Sequence, residues 1–323
     1  MLPHEVWAGS NTGARALRLL ATPASWLYAL GWQAYLATYS LGLKKAKSPH
    51  RPVMCVGNLV VGGSGKSPVT MHIAKVLQDM GREVVIGCSG YGSPKAEAAS
   101  LAPDGPLSAS EWGDEPAMIR WLLPSTPIVV GRRRVLAAAL VHERYPNSVL
   151  LMDDGFQHLP LAKQLSLVLD ETDPLNARCL PAGPYREPRR NRNRADVVVP
   201  GLISIKRQPL HIVSPSGKPE SPKEYSVLCA LANPDRFLDA LTEAFPNSLP
   251  NKAVKTFKDH DSLSKDTLWD SLPPNVPIVV TAKDWVKLRE RADIVEHQIL
   301  IALQDVELTP RKELVALINK KLS

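Results

Sequence analysis

The chain has 323 residues, enough for two domains at roughly 150 residues each, and 44% hydrophobic with 22% charged residues excludes both a wholly disordered chain and a polytopic membrane protein. Lys+Arg 39 against Asp+Glu 32 leaves a net charge of +7, which favours anionic partners such as phosphate, nucleic acid or acidic lipid. The four cysteines, Cys55, Cys88, Cys179 and Cys229, share no CxxC or Cys/His spacing, so neither a zinc site nor a disulfide framework is indicated and a reducing compartment fits.

No charged residue occurs between Arg18 and Lys44, and that stretch carries Trp26, Tyr28, Trp32, Tyr35 and Tyr39 ahead of Lys44, Lys45 and Lys47. Its length could span a bilayer, but Pro23, Ser25, Gln33, Thr38 and Ser40 dilute it, and the aromatics suit the membrane interface. Residues 1–47 therefore read as an interfacial membrane helix segment, with a true span and a helix packed on the protein as alternatives. The basic flank would lie on the cytoplasmic side.

After Pro52, short apolar runs alternate with longer helical stretches, the pattern of an α/β protein with a mostly parallel sheet. Strands are predicted at Val53–Val56, Glu83–Ile86, Ile128–Val130, Val149–Met152, Leu165–Leu169 and Val197–Val199. Val69, Ile73, Val76, Leu77 and Met80 share a helical face that Gly81 would cap, and helices are also predicted at Glu115–Leu123 and Val135–Arg144. Residues 48–203 form the expected core domain, and the Pro-, Ser- and Lys-rich stretch 204–224 is the expected linker, with a possible strand at Leu210–Val213. A smaller α/β domain, 225–323, follows, with strands at Ser226–Ala230, Ile278–Thr281 and Gln298–Ala302 and helices at Asp235–Phe245, Asp284–Arg291 and Pro310–Lys321.

The strongest local signal is a strand running into Val60, Val61, Gly62, Gly63, Ser64, Gly65, Lys66 and Ser67 and then a helix. In such a P-loop, glycines let backbone N–H groups curl around phosphates, the lysine reaches the β and γ oxygens, and the next hydroxyl binds magnesium. The usual spacing asks for glycine where this chain has Val60. A second acidic group at the end of a neighbouring strand normally supports the metal, and the run Val149–Met152 closes on Asp153 and Asp154. Asp114 and Glu115 stand at a helix start, where carboxylates also serve as caps. Arg132–Arg134 and the group Arg186, Arg189, Arg190, Arg192 and Arg194 are the densest basic clusters, and Arg186 lies on a proline-braced loop suited to phosphate. No aromatic-interleaved basic face accompanies them, which argues against nucleic acid. His260 lies between Asp259 and Asp261, a setting that can tune it towards base or orienting duties.

Taken in order, Gly57-Asn58-Leu59 with the P-loop, Gly90-Tyr91-Gly92, Gly113–Pro116, Asp153–His158, Leu180–Pro188, Asp259-His260, and Lys283-Asp284 with Val286-Lys287 resemble the tetraacyldisaccharide 4′-kinase family. The resemblance implies ATP and Mg2+ as cofactors, a disaccharide-1-phosphate glycolipid as acceptor and phosphorylation of its 4′-hydroxyl in lipid A biosynthesis. It also implies a peripheral, monomeric enzyme on the cytoplasmic face of the bacterial inner membrane. By the same resemblance Lys66 and Ser67 would hold phosphates and Mg2+ with Asp153 or Asp154, Glu115 would sit near the metal, and Asp114 would be the general base assisted by His260. Arg186 with Glu187 would position the nucleotide or the developing charge. The implied fold is a P-loop NTPase-like core and a smaller α/β domain, with the site in the cleft between them. Ser89, where the family usually has arginine, and Ala282, where it usually has glutamate, motivate a second function class: a membrane-peripheral nucleotide-binding protein with weak or lost turnover.

Overall fold

The structure, a computed structural model, describes residues 3–62, 65–231, 233–246, 249–259 and 261–322. Helix α1 (Pro3–Ala8) leads into α2 (Thr12–Ser40), whose N-terminus is capped by the Asn11 side chain accepting from Ala14 N at 2.7 Å. The 29-residue α2 lies along the protein on one face only: Ala14 and Ser25 are buried, while Leu19, Leu20, Trp26, Leu27 and Leu30 are each more than 60% exposed. Among the described residues no helix is long and apolar enough to cross a membrane, and two of the polar residues that dilute α2, Ser25 and Gln33, hydrogen-bond to the protein.

The first sheet is built from β1 (Val53–Asn58), β2 (Val84–Cys88), β3 (Ser100–Leu101), β4 (Ile128–Val130), β5 (Val149–Asp153), β6 (Leu165–Leu169) and β7 (Val197–Val199), in the order β3-β4-β2-β5-β1-β6-β7. All pairs are parallel except β3 with β4. The crossover helices are α3 (Lys66–Asp79), the short α4 (Ala109–Trp112) with α5 (Asp114–Leu122), and α6 (Arg134–Arg144). Covered on both faces, β1, β2, β5 and β6 are buried at every residue, which is why they read as unbroken apolar runs. Helix α3 buries Val69, Ile73, Val76 and Leu77 and ends as expected at Gly81, whose φ of 75° lets Arg82 N donate to Leu77 O at 3.0 Å. From β1 the chain leaves towards β2 and only later crosses to β6 on the other side, so the end of β1 is a switch point, where open α/β sheets place ligands.

Residues 204–224, expected as a linker, are not open chain: they hold β8 (Ser204–Arg207), β9 (His211–Val213), β10 (Pro219–Glu220) and the start of β11 (Glu224–Ala230). After α7 (Pro234–Ala244) come β12 (Leu249–Phe257), β13 (Ile278–Thr281), α8 (Ala282–Leu288), β14 (Ile299–Leu303), β15 (Val306–Thr309) and α9 (Arg311–Leu322). The second sheet has the order β10-β9-β14-β13-β11-β12, parallel from β14 to β12, and β8 pairs antiparallel with β15 outside it. Strand β12 escapes sequence patterning because it is an edge strand, opening on Pro250 and Asn251 and carrying Lys252 and Lys255. One apolar core joins Met54, Ile86 and Ile119 of the first sheet and its helices to Leu228, Ile278 and Ile301 of the second and Leu314 of α9.

Candidate active site

The C-terminal ends of β1 and β5 set the first half of the site. Gly65, at φ 77°, turns the chain into α3 without a side-chain cap, so the first-turn N–H groups of α3 are left for an anion. Val60, in place of the usual first glycine, makes a β-bridge to Tyr185, and Val61 N donates to Pro184 O at 2.9 Å, which fastens the loop to the segment carrying Arg186. Gly62 has φ 102°; Gly63 and Ser64, expected in the phosphate cradle, lie outside the described residues, as does His260.

Lys66 Nζ donates to Asn58 Oδ1 at 3.2 Å and lies 3.7 Å from Asp154 Oδ2. Ser67 Oγ donates to Asp153 Oδ2 at 2.8 Å and Thr70 Oγ1 to Asp153 Oδ1 at 3.0 Å, one turn apart on α3. Burial pushes the Asp153 carboxyl above its ordinary value, and the Ser67 bond and Lys66 charge oppose that push. Asp154 turns back at φ 56°, a conformation aspartate tolerates better than most residues, and meets Arg186 in a two-bond fork: Nη1 to Oδ2 at 3.0 Å and Nη2 to Oδ1 at 2.8 Å. Burial alone would raise the Asp154 carboxyl, but the Arg186 hydrogen bonds and the Lys66 charge bring it below its ordinary value. The two adjacent carboxylates are therefore shifted in opposite senses, Asp153 upwards by burial and Asp154 downwards by its cations.

Arg134, counted with a basic cluster, is an internal brace: it is 3% exposed and donates to the backbone oxygens of Asp153 and Asp154 at 3.0 and 3.2 Å. Glu187, expected beside the nucleotide, is fully buried; Gln157 occupies one carboxylate oxygen at 3.1 Å, and Asn191 and Arg194 occupy the other. It thus braces the loop next to Arg186 from within. Arg189 and Arg192 both pair with buried Asp170. Of this arginine group, Arg186 is the one turned to the P-loop.

The second half of the site comes from α5 and from the ends of β12 and β13. Asp114 opens α5 and is 8% exposed. Lys283, in the first turn of α8, places Nζ 3.6 Å from Asp114 Oδ2 and 3.4 Å from Asp259 Oδ1. Burial raises the Glu115 carboxyl from 4.5 to about 7, helped by the charges of Asp153 and Asp114 and opposed by those of Lys283 and Lys66. Glu115 and Asp153 thus lie close enough to raise each other's cost of ionisation, with Lys66 and Lys283 as the opposing charges. Among the described residues no group of three or more His, Cys, Asp or Glu is placed to hold a metal ion. Lys283 and Asp259 stood in the family-like motifs without an assigned role. Thr70 and Arg134 carried no role either, since they act through atoms that only the folded chain brings close.

The profile of the tetraacyldisaccharide-1-P 4'-kinase family matches residues 17–323. The chain is 34% identical over 313 residues to the tetraacyldisaccharide 4'-kinase of Geobacter sulfurreducens, covering 87% of this chain and 88% of that one. Against the tetraacyldisaccharide 4'-kinase of Shewanella sp. (strain MR-4) it is 34% identical over 326 residues, covering 96% and 92%. Its fold is similar to the crystal structure of the "apo" form LpxK from Aquifex aeolicus in complex with ATP, with a TM-score of 0.80, 27% identity, and coverage of 95% of this chain and 100% of that one. With a matching profile over nearly its whole length and relatives above 30% identity, the chain belongs to the tetraacyldisaccharide-1-P 4'-kinase family.

Proposed function

We propose that this chain is an ATP-dependent kinase that transfers the γ-phosphoryl group to the 4′-hydroxyl of a tetraacyldisaccharide 1-phosphate, a step of lipid A formation. It works as a peripheral monomer on the cytoplasmic face of the bacterial inner membrane, with the exposed apolar face of α2 in the lipid interface. The observation that carries the reading is the P-loop pair Lys66 and Ser67 hydrogen-bonded to Asn58 and Asp153 at the sheet switch point, with Asp114 at the start of the neighbouring α5.

Lys66 and the N-terminus of α3 bind the β and γ phosphates, and Arg186 on its braced loop offsets charge that develops in transfer. Asp114 accepts the proton of the acceptor hydroxyl as its oxygen bonds to phosphorus and the bond to the ADP oxygen breaks. His260, its expected assistant, follows Asp259, which Lys283 ties to Asp114. Ser67, Asp153 and Asp154, with Glu115 nearby, would hold Mg2+, which neutralises charge on the β and γ oxygens when bound. On the domain reading 48–203 with 225–323, the latter extended by β9 and β10, the cleft would lie between two α/β halves.

The test is to incubate purified protein with γ-labelled ATP and a disaccharide 1-phosphate lipid. Label in the lipid 4′-phosphate is expected. Label released only as inorganic phosphate, or no turnover with retained ATP binding, would replace the reading with a nucleotide hydrolase or a nucleotide-binding protein.

A further inference from the structure

Helix α2 has two faces with different partners. The outer face is apolar and exposed. The inner face rests on the segment that carries Arg186: Ser25 Oγ donates to Cys179 O at 2.8 Å, Tyr28 Oη to Arg186 O at 2.7 Å, and Gln33 Nε2 to Asn191 Oδ1 at 3.0 Å. These three residues follow one side of the helix over two turns. The segment is also tied at its other edge to the P-loop approach, where Arg186 N donates to Leu59 O at 2.7 Å. Arg186 is thus held between the P-loop on one side and α2 on the other, and its guanidinium forks onto Asp154.

We infer that α2 is a positioning element for Arg186, with Tyr28 its principal contact. The inference rests on the kinase reading above and adds to it a role for α2 besides attachment. The physical reason is that a carbonyl held by a hydroxyl and an N–H held by a strand end fix the Arg186 backbone at both of its polar groups. With the backbone placed, the fork to Asp154 and the bond to Asn58 O hold the guanidinium, and preorganisation of this kind favours the transition state over the ground state.

The test uses the full chain with Tyr28→Phe, which removes one hydroxyl and leaves the ring, and Gln33→Leu as a second cut in the same seat. Transfer is measured on detergent-dispersed acceptor, and binding to vesicles of phosphatidylethanolamine and phosphatidylglycerol by sedimentation. Loss of one hydrogen bond to the arginine backbone is expected to lower kcat about three- to tenfold, with KM for ATP and vesicle sedimentation as in the parent, and the double variant lower still. A purely structural role would lower the melting temperature and leave kcat per folded molecule alone. Unchanged kcat in both variants, or a defect confined to vesicle binding, overturns the inference while leaving the kinase reading standing. A parent protein that does not label the lipid overturns both.

Discussion

Replacing Glu115 by glutamine tests the electrostatics of the site without its substrate. In the folded protein burial and the Asp153 charge raise the Glu115 carboxyl from 4.5 to about 7. Because the folded state holds this proton more tightly than the unfolded chain, the ionised side chain works against folding above pH 7, and the penalty fades as pH falls towards 4.5. At about 1.4 kcal/mol per pH unit, that gap corresponds to roughly 3 kcal/mol. Glutamine keeps the shape and does not titrate, so Glu115→Gln should be more stable than the parent at pH 8.5 by roughly 2–3 kcal/mol, or about 4 °C in Tm for a chain of this length. The two proteins should converge at pH 4.5. Adding Mg2+ and ATP should narrow the difference at pH 8.5, since a cation at the site favours the carboxylate. Thermal melts in metal-free buffer at pH 4.5, 7 and 8.5 read this directly. A difference that is the same at all three pH values, or a glutamine variant less stable at pH 8.5, would refute the account of Glu115 as a half-buried carboxylate crowded by Asp153.

Asp114→Asn preserves size but cannot take a proton, so lipid phosphorylation should fall about a hundredfold or more with ATP affinity by calorimetry little changed; a loss located in ATP binding would make Asp114 a metal-shell residue. Lys283→Met should lower kcat by about tenfold to a hundredfold by releasing Asp114 from Asp259, with activity partly restored in Lys283→Arg, and equal rates in all three proteins would dismiss the bridge. Leu20→Glu with Leu27→Glu places charge on helix positions that are 79% and 71% exposed; vesicle sedimentation should fall while the melting temperature holds. At Gly90, φ is 60° and a Cβ would stand 2.1 Å from Val130 Cγ1, so Gly90→Ala should cost about 2–4 kcal/mol in urea unfolding from backbone conformation and overpacking together.

The sequence by itself determined what depends on near neighbours in the chain. Six strands of the first sheet are legible because five of them are buried at every residue and the edge strand β7 at two of three, which demands apolar runs, and α3 because its apolar spacing and Gly81 agree. The P-loop and the Asp153-Asp154 pair are legible for the same reason: a strand, a turn and a helix start are local events. Edge strand β12, with Pro250 and Asn251 near its opening, and strand β8 inside the expected linker are paired on one side, so their patterns carry little signal, whereas β9 (His211–Val213) lies where the apolar run Leu210–Val213 suggests a strand. Tertiary structure alone decided which charges meet. Lys283 reaches Asp114 across 169 positions of chain. Glu187 is spent inside the loop on Arg194 and Asn191, whereas Arg186, one residue before it, points to Asp154. Helix α2 reads in sequence as a lipid-facing segment, yet its Ser25, Tyr28 and Gln33 are the groups that grip the arginine loop. A periodic pattern says which face of an element is apolar; the partner of each polar atom is set by where the remote segments close, and that is a property of the packed chain.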